Sequence, residues 1–127
     1  MATDALYRIA QEAIANALRH GQPTAIEVSL SYKAASVALT VVDNGRGFDT
    51  RTSTNRGFGL AGMRERTRAL RGQFSLTSEP GQGTRVHVEI PRRRDVGVRF
   101  LMALSRLPSA YWHRIRLLLH NGRSESS

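Results

Sequence analysis

Between Leu6 and Leu18 apolar residues return every three or four positions, and from Ile26 onward they return every second one. That switch of period constrains the fold more than any other feature, because one repeat suits a helix lying on a core and the other a half-buried strand. Leu6, Ile9, Ala10, Ala13, Ile14, Ala17 and Leu18 predict an amphipathic helix over residues 4–20, capped by Thr3 or Asp4 and stopped by Gly21 and Pro23. Ile26, Val28, Leu30 and Tyr32 alternate with Glu27, Ser29 and Ser31, and after a turn at 33–36 Val37, Leu39 and Val41 continue as the second arm of a hairpin. Residues 43–56 are rich in Gly, Asn, Asp, Ser and Thr and read as a loop. Leu60–Leu70 is a second helix ended by Gly72, and strands at Phe74–Thr77 and Arg85–Ile90 flank Pro80-Gly81-Gln82-Gly83. The order α-β-β-α-β-β predicts an α+β fold, a two-layer sandwich whose mainly antiparallel mixed sheet is covered on one face by helices.

Charge is distributed unevenly over this pattern. The 127 residues hold 19 Lys+Arg against 10 Asp+Glu, a net charge of +9 that first suggests nucleic acid or a membrane surface. Residues 1–90 carry 11 basic and 8 acidic side chains, whereas residues 91–127 carry 8 Arg and 2 acids. Pro91 therefore divides an almost balanced part, 1–91, from a basic tail, 92–127. There is no cysteine, which excludes a disulfide scaffold, a thiolate metal site and a cysteine nucleophile. No apolar run approaches the roughly 18–20 residues that span a bilayer, and Met1–Tyr7 lacks the basic start of a signal peptide, so a cytoplasmic protein is expected.

Three clusters interrupt the structural pattern. Glu12 and Asn16 lie one turn apart at the edge of the apolar arc of the first helix. A carboxylate beside an amide oxygen suits Mg²⁺, which borrows further ligands from phosphates; a solvated Glu12 paired with Arg8 would explain the same residues. Asp43-Asn44-Gly45-Arg46-Gly47-Phe48 follows a strand directly, which brings bare backbone towards a flat or anionic group, or else makes an ordinary turn. Gly57-Phe58-Gly59-Leu60 opens the second helix, where free N–H groups and the dipole favour phosphate. Neither a GK[ST] ending nor a parallel β-α-β frame accompanies it, so it is no Walker loop or Rossmann fingerprint.

In this order the clusters, closed by Gly83-Thr84, resemble the ATP-binding domain shared by sensor histidine kinases, type II topoisomerases, the heat-shock chaperone ATPase and mismatch-repair ATPases, the Bergerat fold. Arg8-Ile-Ala-Gln-Glu-Ala-Ile-Ala-Asn-Ala-Leu-Arg-His20, Gly59-Leu-Ala-Gly-Met-Arg-Glu-Arg66 and Pro80-Gly-Gln-Gly-Thr84 are similar to the bacterial two-component kinases that pair with helix-turn-helix response regulators. The resemblance runs from about Ala5 to Pro91. It implies that Asn16 binds Mg²⁺ and that Glu12 orients a water or accepts a proton. It places Arg19 and His20 near the phosphates, although a basic helix end complementing the dipole accounts for them equally. By the same resemblance Asp43 accepts the adenine amino group, Gly45 and Gly47 let adenosine lie against backbone, and Asp49–Arg56 form a lid. Gly57, Gly59 and Leu60 lead the phosphates onto the second helix, and Thr84 completes the adenine end.

The implied activity is that of a protein histidine kinase catalytic domain using ATP and Mg²⁺. Its partners would be a dimerisation domain carrying the phosphoacceptor histidine and, indirectly, a response regulator. None of His20, His87, His113 or His120 is followed by the acid that accompanies such an acceptor, so the chain is expected to bind ATP but not to autophosphorylate alone. Two alternatives stand beside this reading. One is a stand-alone anti-sigma-type serine kinase or ATP-binding regulatory module, and the other is a nucleic-acid or membrane-surface module driven by the tail. In the tail, Phe100, Leu101, Leu104 and Leu107 predict one amphipathic helix, and Trp112, Ile115 and Leu119 a second beyond Pro108. This pair would lie on a membrane or a partner, or pack back on the sheet edge.

Overall fold

The computed structural model describes residues 2–51, 59–93 and 96–121. Helix α1, Ala2–Asn16, runs without a break into a π-helical turn, Ala17–Gly21, closed by the Gln22 N–H donating to the Ala17 carbonyl at 3.1 Å. Thr3 and Asp4 lie inside the first turn rather than capping it, and Asp4 there complements the positive end of the helix dipole. Strands β1 (Ile26–Tyr32) and β2 (Ser36–Asp43) form the expected hairpin, with Leu30 opposite Leu39. Helix α2 (Leu60–Ala69), β3 (Gln73–Ser78) and β4 (Thr84–Pro91) follow.

The chain then continues into helix α3 (Val96–Leu104), a 3-10 turn (Ser109–His113) and strand β5 (Ile115–Asn121). The sheet order is β3-β4-β2-β1-β5; the first three pairings are antiparallel and β1 with β5 is parallel. This is the mixed α+β sheet the periodicities predict, with one strand more.

One face of the sheet meets the helices. Val28, Leu30, Leu39 and Val88 join Leu6, Ile9 and Ile14 of α1 and Met63 of α2 in a core from which water is excluded. The opposite face is polar. Ser29, Thr40 and His87 line up across three strands, with Thr40 Oγ1 2.9 Å from His87 Nδ1. Beside them Glu89 accepts the Ser36 hydroxyl at 2.6 Å, with Lys33 Nζ 3.6 Å away. The Ser36 hydrogen bond, aided by Lys33, holds the Glu89 carboxyl below its ordinary value.

Beyond Pro91 the structure differs from the sequence reading in one element. The first stripe is helical, but the second is not: Ile115, Leu117 and Leu119 lie on β5 opposite Ile26, Val28 and Leu30. Trp112, Ile115 and Leu119 satisfy a helical spacing, while Ile115, Leu117 and Leu119 satisfy a period of two. A short apolar run leaves the choice to tertiary context. The open edge of β1 decides it, because a parallel ladder there satisfies backbone donors and acceptors of both strands. Packing also runs past Pro91. Val96, Phe100, Ala103, Leu104 and Leu107 share the core of residues 1–91, and Phe100 is fully buried. Phe100→Ala is therefore expected to cost about 3–5 kcal/mol in a denaturant melt, as for any large core side chain; a cost below about 1 kcal/mol would show that the segment is not part of the core.

Candidate functional site

The site grows from the end of β2. Asp43 is its last residue and is buried, with Oδ1 accepting the Gly45 N–H at 2.8 Å. Desolvation pushes its carboxyl above the ordinary value, opposed by hydrogen bonds from the Gly45 and Thr84 backbone. Asn44 ties the same turn to the start of β1, its Oδ1 accepting the N–H groups of Thr24 and Ala25 at 2.9 and 3.0 Å.

A cavity opens beside Asp43, enclosing about 440 Å³ including its mouth. Ala13, Asn16, Ala17 and His20 line it, one stripe of α1 and its π turn, together with Val41, Gly47, Leu60 and Thr84. The walls are mostly apolar, and Phe48, Met63, Leu76 and Val86 add to them. One buried carboxylate among apolar walls fits a flat heterocycle that presents an amino group.

Of the residues singled out in the sequence, Asn16, His20, Asp43, Gly47, Leu60 and Thr84 meet at this cavity. Glu12 and Arg19 stand outside its lining. Arg19 Nη2 donates to Asn16 Oδ1 at 3.1 Å and lies 3.4 Å from Glu12 Oε2, so the partner of Glu12 is Arg19 rather than Arg8. Gly59, just before α2, packs against the Glu12 carboxyl. Gly57 and residues 52–56 of the expected lid lie outside the described residues.

Gly45 and Gly47 turn out to be demanded by the protein's own backbone. A Cβ on Gly45 would stand 2.5 Å from the Gly21 carbonyl oxygen. Gly47 has φ +66, and a Cβ there would overlap the carbonyls of Glu79 and Gly83. Gly45 is absent from the cavity lining, and its missing side chain permits the close approach of the π turn.

Ser78 is a site residue that no motif marked. Its buried Oγ accepts the Phe48 N–H at 2.9 Å, donates to the Gly83 carbonyl at 3.0 Å and lies 2.8 Å from Thr84 Oγ1. With the Ser78 proton on Gly83, the Thr84 hydroxyl donates to Ser78 and keeps its lone pairs for the cavity. A buried Ser at the end of a strand was the available signal, but strand ends carry serine for many reasons.

The Histidine kinase-, DNA gyrase B-, and HSP90-like ATPase family matches residues 1–94. The chain belongs to that family. DegS, the signal transduction histidine-protein kinase/phosphatase of Bacillus subtilis (strain 168), is 40% identical over 90 residues, which are 68% of this chain and 23% of DegS. The sensor protein VraS of Staphylococcus aureus (strain COL) is 39% identical over 92 residues, 72% of this chain and 26% of VraS. The chain thus spans about a quarter of the length of these relatives. Among solved structures, full-length ShkA in complex with AMPPNP is similar with TM-score 0.59 and 23% identity, over 68% of this chain and 21% of that one. The blue-light activated histidine kinase of Erythrobacter litoralis EL346 is similar with TM-score 0.56 and 24% identity, over 65% of this chain and 28% of that one. At such identity these two likenesses concern the fold. Residues 1–94 are accordingly an ATPase domain of that family.

For this ATPase domain the residues present fit a Mg-nucleotide better than a protein-held ion. Among the described residues no three His, Asp or Glu side chains gather as a metal site, while the Asn16 amide lines the cavity and is of the oxygen chemistry that suits Mg²⁺. Two measurements check the electrostatics and the clamp. Because folding raises the Asp43 pKa, its ionisation costs stability, and the cost disappears as pH falls below the ordinary carboxylate value. Asp43→Asn, which keeps an acceptor for Gly45, should leave the ligand-free protein at least as stable as wild type at pH 7. The gap between the two in denaturant melts should shrink on acidification. Ser78→Ala should cost about 1–3 kcal/mol in the same melts by leaving the Phe48 N–H unpaired, and a neutral result would show that the clamp is dispensable.

Proposed function

We propose that residues 1–91 bind Mg-ATP and supply its γ-phosphoryl group to a histidine on the dimerisation domain of a two-component sensor kinase, in the cytoplasm, with a response regulator downstream. In this reading residues 92–121 are an accessory segment packed on the catalytic unit. The observation that carries the proposal is the buried Asp43 carboxylate facing the same cavity as Asn16, His20, Leu60 and Thr84.

Each residue then has a task. Asp43 accepts a hydrogen bond from the adenine amino group, a contact that guanine, with a carbonyl at that position, would not return. Thr84, held by Ser78, offers lone pairs at the same end. Asn16 contributes an oxygen to Mg²⁺, and Arg19 fixes the rotamer of Asn16 by donating to its Oδ1. Glu12, beside Gly59 at the start of α2, is placed to orient a water or take a proton; His20 reaches the cavity from the π turn. Bound Mg-ATP supplies the transferable phosphoryl and neutralises its charge. The protein's contribution is to hold it in line for the acceptor and to exclude water.

Titration of the full chain with Mg-ATP tests the binding step. Saturable binding is expected, weakened about tenfold or more by Asp43→Asn and only slightly altered by replacing ATP with ADP; each tenfold is about 1.4 kcal/mol. GTP should bind at least about tenfold more weakly, as a lost charge-assisted hydrogen bond predicts. No binding at millimolar ATP, or binding indifferent to Asp43→Asn, overturns the reading. Supplying the dimerisation domain of a related kinase in trans tests the transfer: acid-labile, base-stable phosphohistidine is expected, and phosphoserine on a partner would support the serine-kinase alternative instead.

A further inference from the structure

Helix α3 is apolar on two sides. Val96, Phe100, Ala103 and Leu104 are buried in the core, yet Val98 and Met102, one turn apart on the other side, are 63% and 67% exposed. A surface helix normally turns charge towards water on that side, but Arg99 is the one charged residue in the nine of α3. Leu119 on β5, 54% exposed, completes the large exposed hydrophobics among the described residues. All three lie beyond the residues that the ATPase family matches.

Exposed arginines accompany them. Arg92, Arg93, Arg99, Arg106, Arg114 and Arg116 are exposed, and the described residues beyond Pro91 include no acid. Two of these arginines are held in place by aromatic rings: Arg92 stands 5.4 Å from the Tyr32 ring centre and Arg106 5.7 Å from that of Tyr7. Arg116 is paired with Glu27 at 3.3 Å. Stacking of this kind holds the guanidinium itself over the ring, in residues that stay exposed at the surface.

We propose that the outer side of α3, with its flanking arginines, docks on an anionic phospholipid surface. The occupant follows from the combination. A second copy of this face would bring like charges together. Nucleic acid would satisfy the arginines, but it has no apolar layer for Val98 and Met102 beneath the phosphates. A bilayer of anionic lipid offers both: headgroup charge for Arg99 and Arg106, and an acyl boundary a few ångströms deeper for Val98 and Met102. The contact is interfacial, since no helix among the described residues is long and apolar enough to cross a membrane.

Co-sedimentation of the full chain with vesicles tests the proposal, with emission from the single tryptophan, Trp112, as a second readout. Vesicles of mixed phosphatidylglycerol and phosphatidylcholine are expected to retain the protein, pure phosphatidylcholine vesicles to leave it in solution, and added salt to weaken retention. The double variant Val98→Ser/Met102→Ser and the double variant Arg99→Gln/Arg106→Gln should each reduce partitioning about tenfold, with melting temperature and ATP affinity unchanged. Asp43→Asn should partition like wild type, which separates this surface from the nucleotide site. No retention by phosphatidylglycerol vesicles at low salt overturns the proposal. So does retention indifferent to Val98→Ser/Met102→Ser, or preferential binding of duplex DNA over the vesicles.

Discussion

At the end of β2 three segments of chain touch backbone to backbone, and the rest of the site hangs on that contact. Asp43 closes on the Gly45 N–H, Gly45 lies against the Gly21 carbonyl of the π turn, and Gly47 lies against Glu79 and Gly83 of the β3–β4 hairpin. Gly83 in turn packs on the Asp43 carbonyl. No side chain can stand between these strands of backbone, so helix α1, strand β2 and the hairpin are held at one separation. A cavity whose walls come from three distant parts of the sequence gains a fixed shape without any covalent brace. The Ser78 hydroxyl fastens the last side by joining Phe48, Gly83 and Thr84 through three hydrogen bonds.

That arrangement sets stability against recognition. Asp43 is kept in a place where its ionised form is disfavoured, and the two backbone hydrogen bonds it accepts only partly offset the loss of water. A carboxylate so situated is poorly solvated in the empty protein and gains from a donor brought by a ligand. On the proposed reading, the same burial that costs stability in the free domain sharpens the selection of a base by its amino group.

Much of this was legible in the chain and some was not, for physical reasons that differ by element. α1, the β1–β2 hairpin, α2 and the β3–β4 pair follow from periodicity, because each buries one face and the period records which. The cluster of Asn16, Asp43 and Thr84 was visible from residue types in order. The π turn was not, since Ala17–Gly21 has the composition of an ordinary helix end and the backbone it meets, at Gly45, is remote in sequence. The glycines were legible as a need for bare backbone, but the neighbour that needs it is another strand of the same chain. Helical spacing left Arg8 open as a partner for Glu12, one turn away, whereas the long Arg19 side chain reaches it from two turns on. β5 was unreadable for a different reason: a strand at a sheet edge is chosen by the edge, and the edge belongs to β1, some ninety residues earlier.

The folding of that last segment also changes what the net charge means. A loose basic tail would spread its arginines over many conformations and lose much of its attraction to the entropy of ordering them. Here Phe100 anchors α3 in the core, β5 is laddered to β1, and rings of Tyr7 and Tyr32 hold Arg106 and Arg92. The ordering cost is met when the domain folds, not when a partner arrives. The arginines become part of an ordered surface that also exposes Val98 and Met102, and Val98, Arg99, Met102 and Arg106 lie outside the matched ATPase residues. Chemistry at the Asp43 cavity and attraction at the α3 surface can therefore vary independently, since the residues of one take no part in the other.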